Sequence, residues 1–242
     1  MRSPVWVFVL AVAAAGFPLR SAIITQPVPE ASISVGGQAV DTSGLTIAYD
    51  PTGKRGSITG LLAGPDWLVA VNVQTTPDPF VLYSLSAVNL GLGPLAFSFT
   101  FTTPLLLGPY GQATSSFNGN MTDLLGDGVS VSGIGQSALL NGVIVPAVQL
   151  GPFSCSADPN VPGTVSPCPA GPGFGPSSAG VPAAFYSTFG TNITFTVSAS
   201  DQAVFNGSVV LDAASIPEPT SAVLVGLGLL CAAGSRIRSR RR

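Results

Sequence analysis

The stretch LAFSFTFT, residues 95–102, decides the fold. Apolar side chains alternate there with small or polar ones, the apolar set being Leu95, Phe97, Phe99 and Phe101. Because successive side chains of a β-strand point to opposite faces, this alternation predicts a strand with one buried and one exposed face. Antiparallel sheets that pack one face on a core contain strands of this kind.

The same alternation recurs along the chain. It is clear at 67–74 and 193–198, and less regular at 45–49, 81–88, 129–134, 143–150 and 203–211. Asn-Gly pairs at 118–119, 141–142 and 206–207 predict tight turns, because both residue types accept positive φ. The last pair predicts a hairpin or bulge inside 203–211. The sequence therefore predicts an all-β fold over residues 23–212, a single antiparallel β-sandwich-like or barrel-like domain.

Charge is scarce and unevenly placed. Charged residues make up 8% of the chain, against about 25% in ordinary soluble domains. Between residues 23 and 215, ten acidic residues face only two basic ones, Lys54 and Arg55, which gives a net charge of −8. Binding to phosphate needs a basic surface, so this composition excludes nucleic acid as a partner.

Residues 1–22 predict a secretory signal peptide. Arg2 precedes an apolar run of 11 residues from Val5 to Ala15, and small residues follow. Cleavage is expected after Gly16 or after Ala22, and a retained helix is the alternative. The run is shorter than the roughly 20 residues that span a bilayer.

A segment rich in Pro, Gly and Ser, residues 151–182, predicts an irregular loop. It contains Cys155 and Cys168, and two cysteines in an exported chain predict a disulfide. Two free thiols are the alternative. The chain has no histidine and the domain no further cysteine, which argues against zinc.

The sequence contains few of the side chains and motifs on which enzymes ordinarily depend. Without histidine the chain lacks the usual general base and cannot build a Ser-His-Asp or Cys-His site. It also has no phosphate-binding or dinucleotide-binding glycine motif, so we predict neither an enzyme nor a cofactor. Asp123 and Asp127 lie in an expected strand–turn–strand connection and are the candidate calcium residues. Their spacing does not match the EF-hand or nonapeptide patterns.

Aromatic residues suggest an alternative, a carbohydrate-binding module of the cell surface. Tyr110, Tyr186 and Phe189 lie in or near predicted loops, where an aromatic ring can support a sugar. Trp67 shares the phase of a valine stripe, so we expect it in the core. A β-sandwich does not by itself decide between these functions.

Residues 213–242 form a tail of three parts. Pro217-Glu218-Pro219-Thr220 comes first, and its prolines favour a stiff, extended peptide, although Pro219 equally suits the first turn of a helix. Between Glu218 and Arg236 lie 17 uncharged residues, which predict a transmembrane helix over about 220–235. The chain then ends in a cluster of arginines, Arg236, Arg238, Arg240, Arg241 and Arg242. Such clusters stay cytoplasmic and act as a stop-transfer signal, so the body is expected outside.

This tail resembles the PEP-CTERM sorting signal of Gram-negative bacteria. The resemblance rests on the motif at 217–220, the apolar run at 222–233 and the terminal arginines, in that order. It implies processing by an exosortase, a multi-pass inner-membrane protein regarded as a cysteine transpeptidase, and an association with exopolysaccharide and biofilm. A eukaryotic lipid-anchor signal is the alternative, but such tails end without arginines.

Together these features predict an exported, non-enzymatic surface or extracellular-matrix protein. Its expected partners are the secretion machinery, the exosortase, the inner membrane during passage, and exopolysaccharide. The chain would pass through an inner-membrane intermediate with a cytoplasmic C-terminus before it reaches the cell surface or the extracellular space. A simple membrane-anchored β-domain that keeps its tail is the third interpretation.

Overall fold

The computed structural model describes residues 28–213, apart from gaps at 53, 77–78, 106–108, 159–160 and 169–175. Fifteen strands and one 3₁₀ turn, Pro146–Val148, form this part of the chain. The strands are β1 (Glu30–Val35), β2 (Gln38–Ala39), β3 (Thr46–Asp50), β4 (Arg55–Ala63), β5 (Trp67–Thr76), β6 (Phe80–Asn89), β7 (Leu95–Pro104), β8 (Pro109–Asp123), β9 (Val129–Leu140), β10 (Val143–Ile144), β11 (Leu150–Ala157), β12 (Thr164–Cys168), β13 (Ser177–Phe185), β14 (Thr188–Val197) and β15 (Asp201–Ala213).

The strands form two antiparallel sheets. Sheet 1 has the order β10-β9-β14-β7-β1-β2, and β11 also pairs with β9. Sheet 2 has the order β12-β8-β15-β6-β5-β4-β3, and β13 also pairs with β8. The all-β, antiparallel prediction is confirmed, and the two separate sheets favour the sandwich over the barrel. Within residues 28–213 no helix is long and apolar enough to cross a membrane.

Aromatic rings fill the space between the sheets. The stretch at 95–102 lies in β7, and its side chains Phe97, Phe99 and Phe101 are buried, as the alternation predicts. The ring of Phe195, on β14, lies 5.6 Å from that of Phe97. It also lies 4.6 Å from the ring of Phe205, which belongs to sheet 2. These contacts join the two sheets through one continuous core.

A buried polar link also crosses the core. Tyr83 of β6 donates its hydroxyl hydrogen to Oε1 of Gln136 on β9. The Gln136 amide in turn donates to the Ser208 carbonyl on β15 at 3.1 Å. Burial raises the pKa of Tyr83 well above its ordinary value, so this hydroxyl keeps its proton and remains a donor.

The prediction of an irregular loop over residues 151–182 is wrong for most of the residues that the structure describes there, since 159–160 and 169–175 lie outside them. This segment contains most of β11, all of β12 and most of β13, which pair with β9 or with the two halves of β8. All three strands lie at sheet edges. An edge strand needs only one row of ladder hydrogen bonds, so residues such as Pro152 and Pro167 are tolerated there.

The predicted strand at 143–150 is also wrong in its middle. Only Val143–Ile144 and Leu150 are in strands, and the 3₁₀ turn lies between them. Pro146 occupies the first turn, where its missing N–H leaves no donor unsatisfied.

Two of the three Asn-Gly turn predictions are wrong. Asn141-Gly142 does form the β9–β10 turn, with φ of 50° and 76°. The pairs at 118–119 and 206–207, however, lie inside the continuous strands β8 and β15. Their glycines make room for aromatic side chains: the Phe205 ring lies against Gly119, and the hydroxyl end of Tyr83 lies against Gly207.

Both glycines are therefore required for packing. A Cβ atom at Gly119 would overlap the Phe205 ring, and one at Gly207 would overlap the Tyr83 hydroxyl. We expect G119A and G207A each to lower the free energy of unfolding by about 1–3 kcal/mol, because an extra methyl in a filled core strains its neighbours. Urea denaturation measures the change.

The matched control for these substitutions is G180A in β13. The atom nearest to a Cβ at this position is 3.7 Å away, so stability should change by less than about 0.5 kcal/mol. Equal stability of all three variants and the parent would contradict the packing role.

Candidate functional site

The sorting motif at Pro217–Thr220, the five terminal arginines and the signal peptide lie outside the described residues. Those assignments therefore stay predictions. The remaining predicted site residues, Cys155, Cys168, Asp123 and Asp127, all lie in the described part of the chain.

Cys155 and Cys168 form a disulfide, as predicted, with their Cα atoms 5.5 Å apart. Cys155 belongs to β11 of sheet 1, and Cys168 is the last residue of β12 of sheet 2. Both are buried. The bond is thus a covalent link between the edges of the two sheets.

Asp123, the last residue of β8, organises the turn that leads into β9. Its Oδ1 accepts the backbone N–H groups of Leu125 at 3.1 Å and Gly126 at 2.6 Å. Its Oδ2 accepts the N–H of Gly128 at 2.7 Å. Gly126 and Gly128 have φ of 84° and 97°, which favours glycine at both positions. The predicted strand–turn–strand setting of the pair is confirmed.

The fold adds a third carboxylate that the sequence did not reveal. Asp201, the first residue of β15, pairs directly with Asp123, and both side chains are fully buried. Asp127 is exposed and lies in the turn between β8 and β9. One carboxylate oxygen from each of the three lies within 4.8 Å of the other two. We call the end of the sandwich that carries this cluster the acidic end.

The three carboxylates are bonded unequally. Ser198 donates its hydroxyl hydrogen to Asp201 Oδ2. Asp201 Oδ1 is buried and has no hydrogen bond of ordinary geometry. Burial, then the charges of Asp123 and Asp127, raise the pKa of Asp201, and the Ser198 hydroxyl and the Leu124 N–H offset part of that rise.

The pKa of Asp123 is shifted in the opposite direction to that of Asp201. Burial by itself raises the pKa of its carboxyl, but the surrounding backbone N–H donors outweigh burial and lower the pKa below its ordinary value. Asp123 is therefore the carboxylate of the cluster that the turn holds in its charged form.

Asn89 ties neighbouring turns together at the same end. Its amide nitrogen donates to the carbonyl oxygens of Gly93 at 2.8 Å, Ser198 at 2.8 Å and Val197 at 3.1 Å. Its Oδ1 accepts the Gly91 N–H at 2.9 Å. The β6–β7 and β14–β15 connections are thereby held side by side, next to the carboxylates.

The described chain enters and leaves the sandwich at the other end. Glu30 pairs with Thr102 near the end of β7, and Ala213 pairs with Tyr110 near the start of β8. β15 runs for 13 residues from Asp201 to Ala213, which corresponds to about 40 Å at roughly 3.3 Å per residue. We call this end the tail end.

The predicted sugar-binding aromatics do not form a platform. Tyr110 and Phe189 are buried in the core, so neither ring has a free face. Tyr186 packs against the core and donates its hydroxyl hydrogen to the Pro182 carbonyl at 2.7 Å. The prediction that these aromatics lie in or near loops is wrong for Tyr110 and Phe189, which belong to β8 and β14. Tyr186 lies in the short connection between β13 and β14.

Trp67 is only partly in the core. Its ring packs against core side chains and against Gly64, where a Cβ would overlap the indole. It also lines an open groove of about 330 Å³ together with Gln38, Asp41 and Leu62. Asp41 accepts two hydrogen bonds of 2.9 Å from the backbone and hydroxyl of Ser43, which lower the pKa of its carboxyl. An aromatic side chain and a charged acceptor thus line one groove.

No family model matches this chain, and no curated protein matches it. A solved structure with some likeness is that of TmCBM61 in complex with beta-1,4-galactotriose. It is 10% identical and has a TM-score of 0.25, over 76% of this chain and 88% of that one. A TM-score this low carries no argument about the ligand of this chain.

The disulfide should contribute measurably to stability. The 13-residue separation of the cysteines corresponds to about 3 kcal/mol in the chain-entropy description. We expect the double variant C155A/C168A to lose about that much free energy of unfolding in urea.

Addition of a reducing agent provides the control for the cysteine experiment. It should destabilise the parent protein and leave the double variant unchanged. If the parent were equally stable when oxidised and reduced, the disulfide would have no structural role.

Proposed function

We propose that this chain is an exported, non-enzymatic surface or extracellular-matrix protein that an exosortase processes at its C-terminal tail. The observation that carries the proposal is the disulfide that joins the edges of the two sheets. Disulfides persist in oxidising compartments outside the cytoplasm, which agrees with export by the N-terminal segment.

The position of the last strand supports processing at the tail. β15 ends at Ala213, four residues before Pro217. It lies inside sheet 2, between β8 and β6, and makes pairs along its length with both neighbours. A cut at 217–219 would therefore remove none of the described strands, and the body could leave the membrane folded.

Each part of the tail then has a physical task. The apolar segment at 220–235 holds the chain in the inner membrane, and the arginines at its end prevent further translocation. The proline-flanked motif supplies extended backbone, the form that a processing enzyme can bind. These roles follow from the resemblance to PEP-CTERM tails, and the chain is the substrate of this chemistry.

The described carboxylates agree with a non-catalytic body. Both oxygens of Asp123 accept backbone N–H groups of its own turn, so this carboxylate serves the fold. The chain also has no histidine, the side chain that most often serves as a general base near neutral pH.

We expect the mature protein from its native host to lack both the signal peptide and the residues after 217–219. Intact-mass spectrometry measures this, and additional mass at the new C-terminus would indicate transfer to a carrier. E218A should retain the tail, because the charge of the motif is lost.

The chain contains its own control, since Pro29-Glu30 is a second Pro-Glu pair without an apolar run behind it. E30A should be processed like the parent. Recovery of the parent protein with its tail intact through Arg242 would refute sorting and leave a membrane-anchored β-domain.

A second candidate function is binding of exopolysaccharide by the body. The groove lined by Trp67, Gln38 and Asp41 favours it, because sugar sites combine an aromatic face with a few oriented polar groups. Trp67 begins β5 and pairs with Asn89, so the groove lies near the acidic end and far from the tail end of the sandwich. A body held by its tail would thus present the groove outward.

We expect W67A to reduce binding to the exopolysaccharide of the host by at least about tenfold, the effect of losing one good aromatic contact. Glycan arrays and titration with the purified polysaccharide measure the binding. The control is F185A, which removes an aromatic ring that is 68% exposed and lies near the tail end. Equal binding by both variants would refute the groove as the site.

A further inference from the structure

We propose that the acidic end of the sandwich binds a Ca²⁺ ion through Asp123, Asp127 and Asp201. The sequence points only to the first two residues, and the fold brings the third to them. The site lies at the end of the sandwich opposite the tail end, and none of its three carboxylates lines the groove of Trp67. It is therefore distinct from the proposed sorting and sugar-binding functions.

The first argument is that Asp123 and Asp201 have no basic side chain beside them among the described residues. Asp123 and Asp201 lie directly opposite each other on neighbouring strands, and both are fully buried. Like charges in this position destabilise a sheet, and buried charges are ordinarily paired or coordinated to a metal. The two basic residues among those the structure describes, Lys54 and Arg55, stand at the start of β4, near the other end of sheet 2. A bound cation would supply the missing positive charge.

The second argument is the unpartnered oxygen. Asp201 Oδ1 is buried and has no hydrogen bond of ordinary geometry, while Oδ2 accepts from Ser198. A buried acceptor left unpaired is unfavourable, and such groups call for an ion or a water. On Asp123, Oδ2 accepts the N–H of Gly128, and a carboxylate oxygen that accepts a backbone N–H can still bind a cation through its other lone pair.

The third argument is geometry and ligand type. Ca²⁺ binds oxygen at about 2.3–2.6 Å, so two ligands of one ion lie at most about 5 Å apart. The three carboxylate oxygens, all within 4.8 Å of one another, satisfy this limit. An oxygen-only set selects a hard cation over zinc, which prefers nitrogen and sulfur. Asp127 is exposed and leaves an open side for entry and for coordinating water.

A cation at this site would act on the fold. Asp123 and Asp127 belong to the β8–β9 connection and Asp201 to the start of β15, so one ion would join two connections between the sheets. An affinity in the range of about 10⁻⁴–10⁻³ M, typical of extracellular calcium modules, would be sufficient outside the cell.

The test uses the full-length chain in detergent, stripped of metal with a chelator and titrated with Ca²⁺ alone. Calorimetry should detect one ion per chain. Addition of about 10 mM Ca²⁺ should raise the midpoint of thermal unfolding by about 3–10 °C, because the ion binds only the folded state.

Two variants identify the site. D127N, in an exposed turn, and D201N should each remove the calcium response. D201N should also unfold no earlier than the metal-free parent, since it deletes a buried charge, which separates loss of binding from failure to fold. The control is D212N, an exposed residue at the other end of β15 that should keep the full response.

Three results would overturn the proposal. The first is a parent protein that binds no Ca²⁺ and shows no shift in its unfolding midpoint. The second is an equal calcium response in D127N, D201N and D212N, which would place the ion elsewhere. The third is an equal response to Mg²⁺, whose shorter bonds and strict octahedral geometry differ from those of Ca²⁺.

Discussion

The ring of Phe195 lies between the two sheets, where it contacts Phe97 and Phe99 on one side and Phe205 on the other. Phe205 continues the stack to Phe117 at 4.9 Å. Each aromatic pair contributes about 0.5–1.5 kcal/mol beyond the burial of its surface. The positions of four strands follow from this stack, because a shift of one residue in any of them would turn a phenylalanine toward solvent.

The packing of the aromatic side chains also explains two glycines, Gly119 and Gly207, that belong to Asn-Gly pairs. Such pairs ordinarily favour tight turns. Gly119 and Gly207 lie in mid-strand, where glycine is ordinarily unfavourable. They are required here because a Phe ring or the Tyr83 hydroxyl occupies the space that a side chain would need. The buried hydrogen bond of Tyr83 with Gln136 adds a polar link between two further strands, β6 of sheet 2 and β9 of sheet 1.

The two ends of the sandwich differ in chemistry. The acidic end gathers three carboxylates, the Asn89 amide and the connections that pass from one sheet to the other. The tail end contains the entry of the described chain at Val28 and its exit at Ala213. A protein held by its C-terminal tail would keep the tail end near the membrane and place the acidic end and the Trp67 groove about 40 Å away.

Local pattern was sufficient wherever a structure depends on neighbours in the chain. The alternation at 95–102 correctly predicted a strand and its buried face, and Asn141-Gly142 correctly predicted a turn. Cys155 and Cys168, 13 residues apart, correctly predicted a disulfide. The Asp123–Asp127 turn was also readable, because its donors lie within five residues.

Only the tertiary structure decided the features that depend on distant partners. The strands in 151–182 exist because β8 and β9 offer them free edges, which outweighs the turn preference of their prolines and glycines. Gly207 is required in its strand because Tyr83, on β6, occupies the space that a side chain would need. Asp201 joins Asp123 and Asp127 by antiparallel pairing across the fold. A sequence pattern shows the local conformation that a residue prefers, whereas cross-strand pairing determines which distant residues it contacts. The candidate cation site depends on such pairing, because Asp201 reaches Asp123 only across two neighbouring strands.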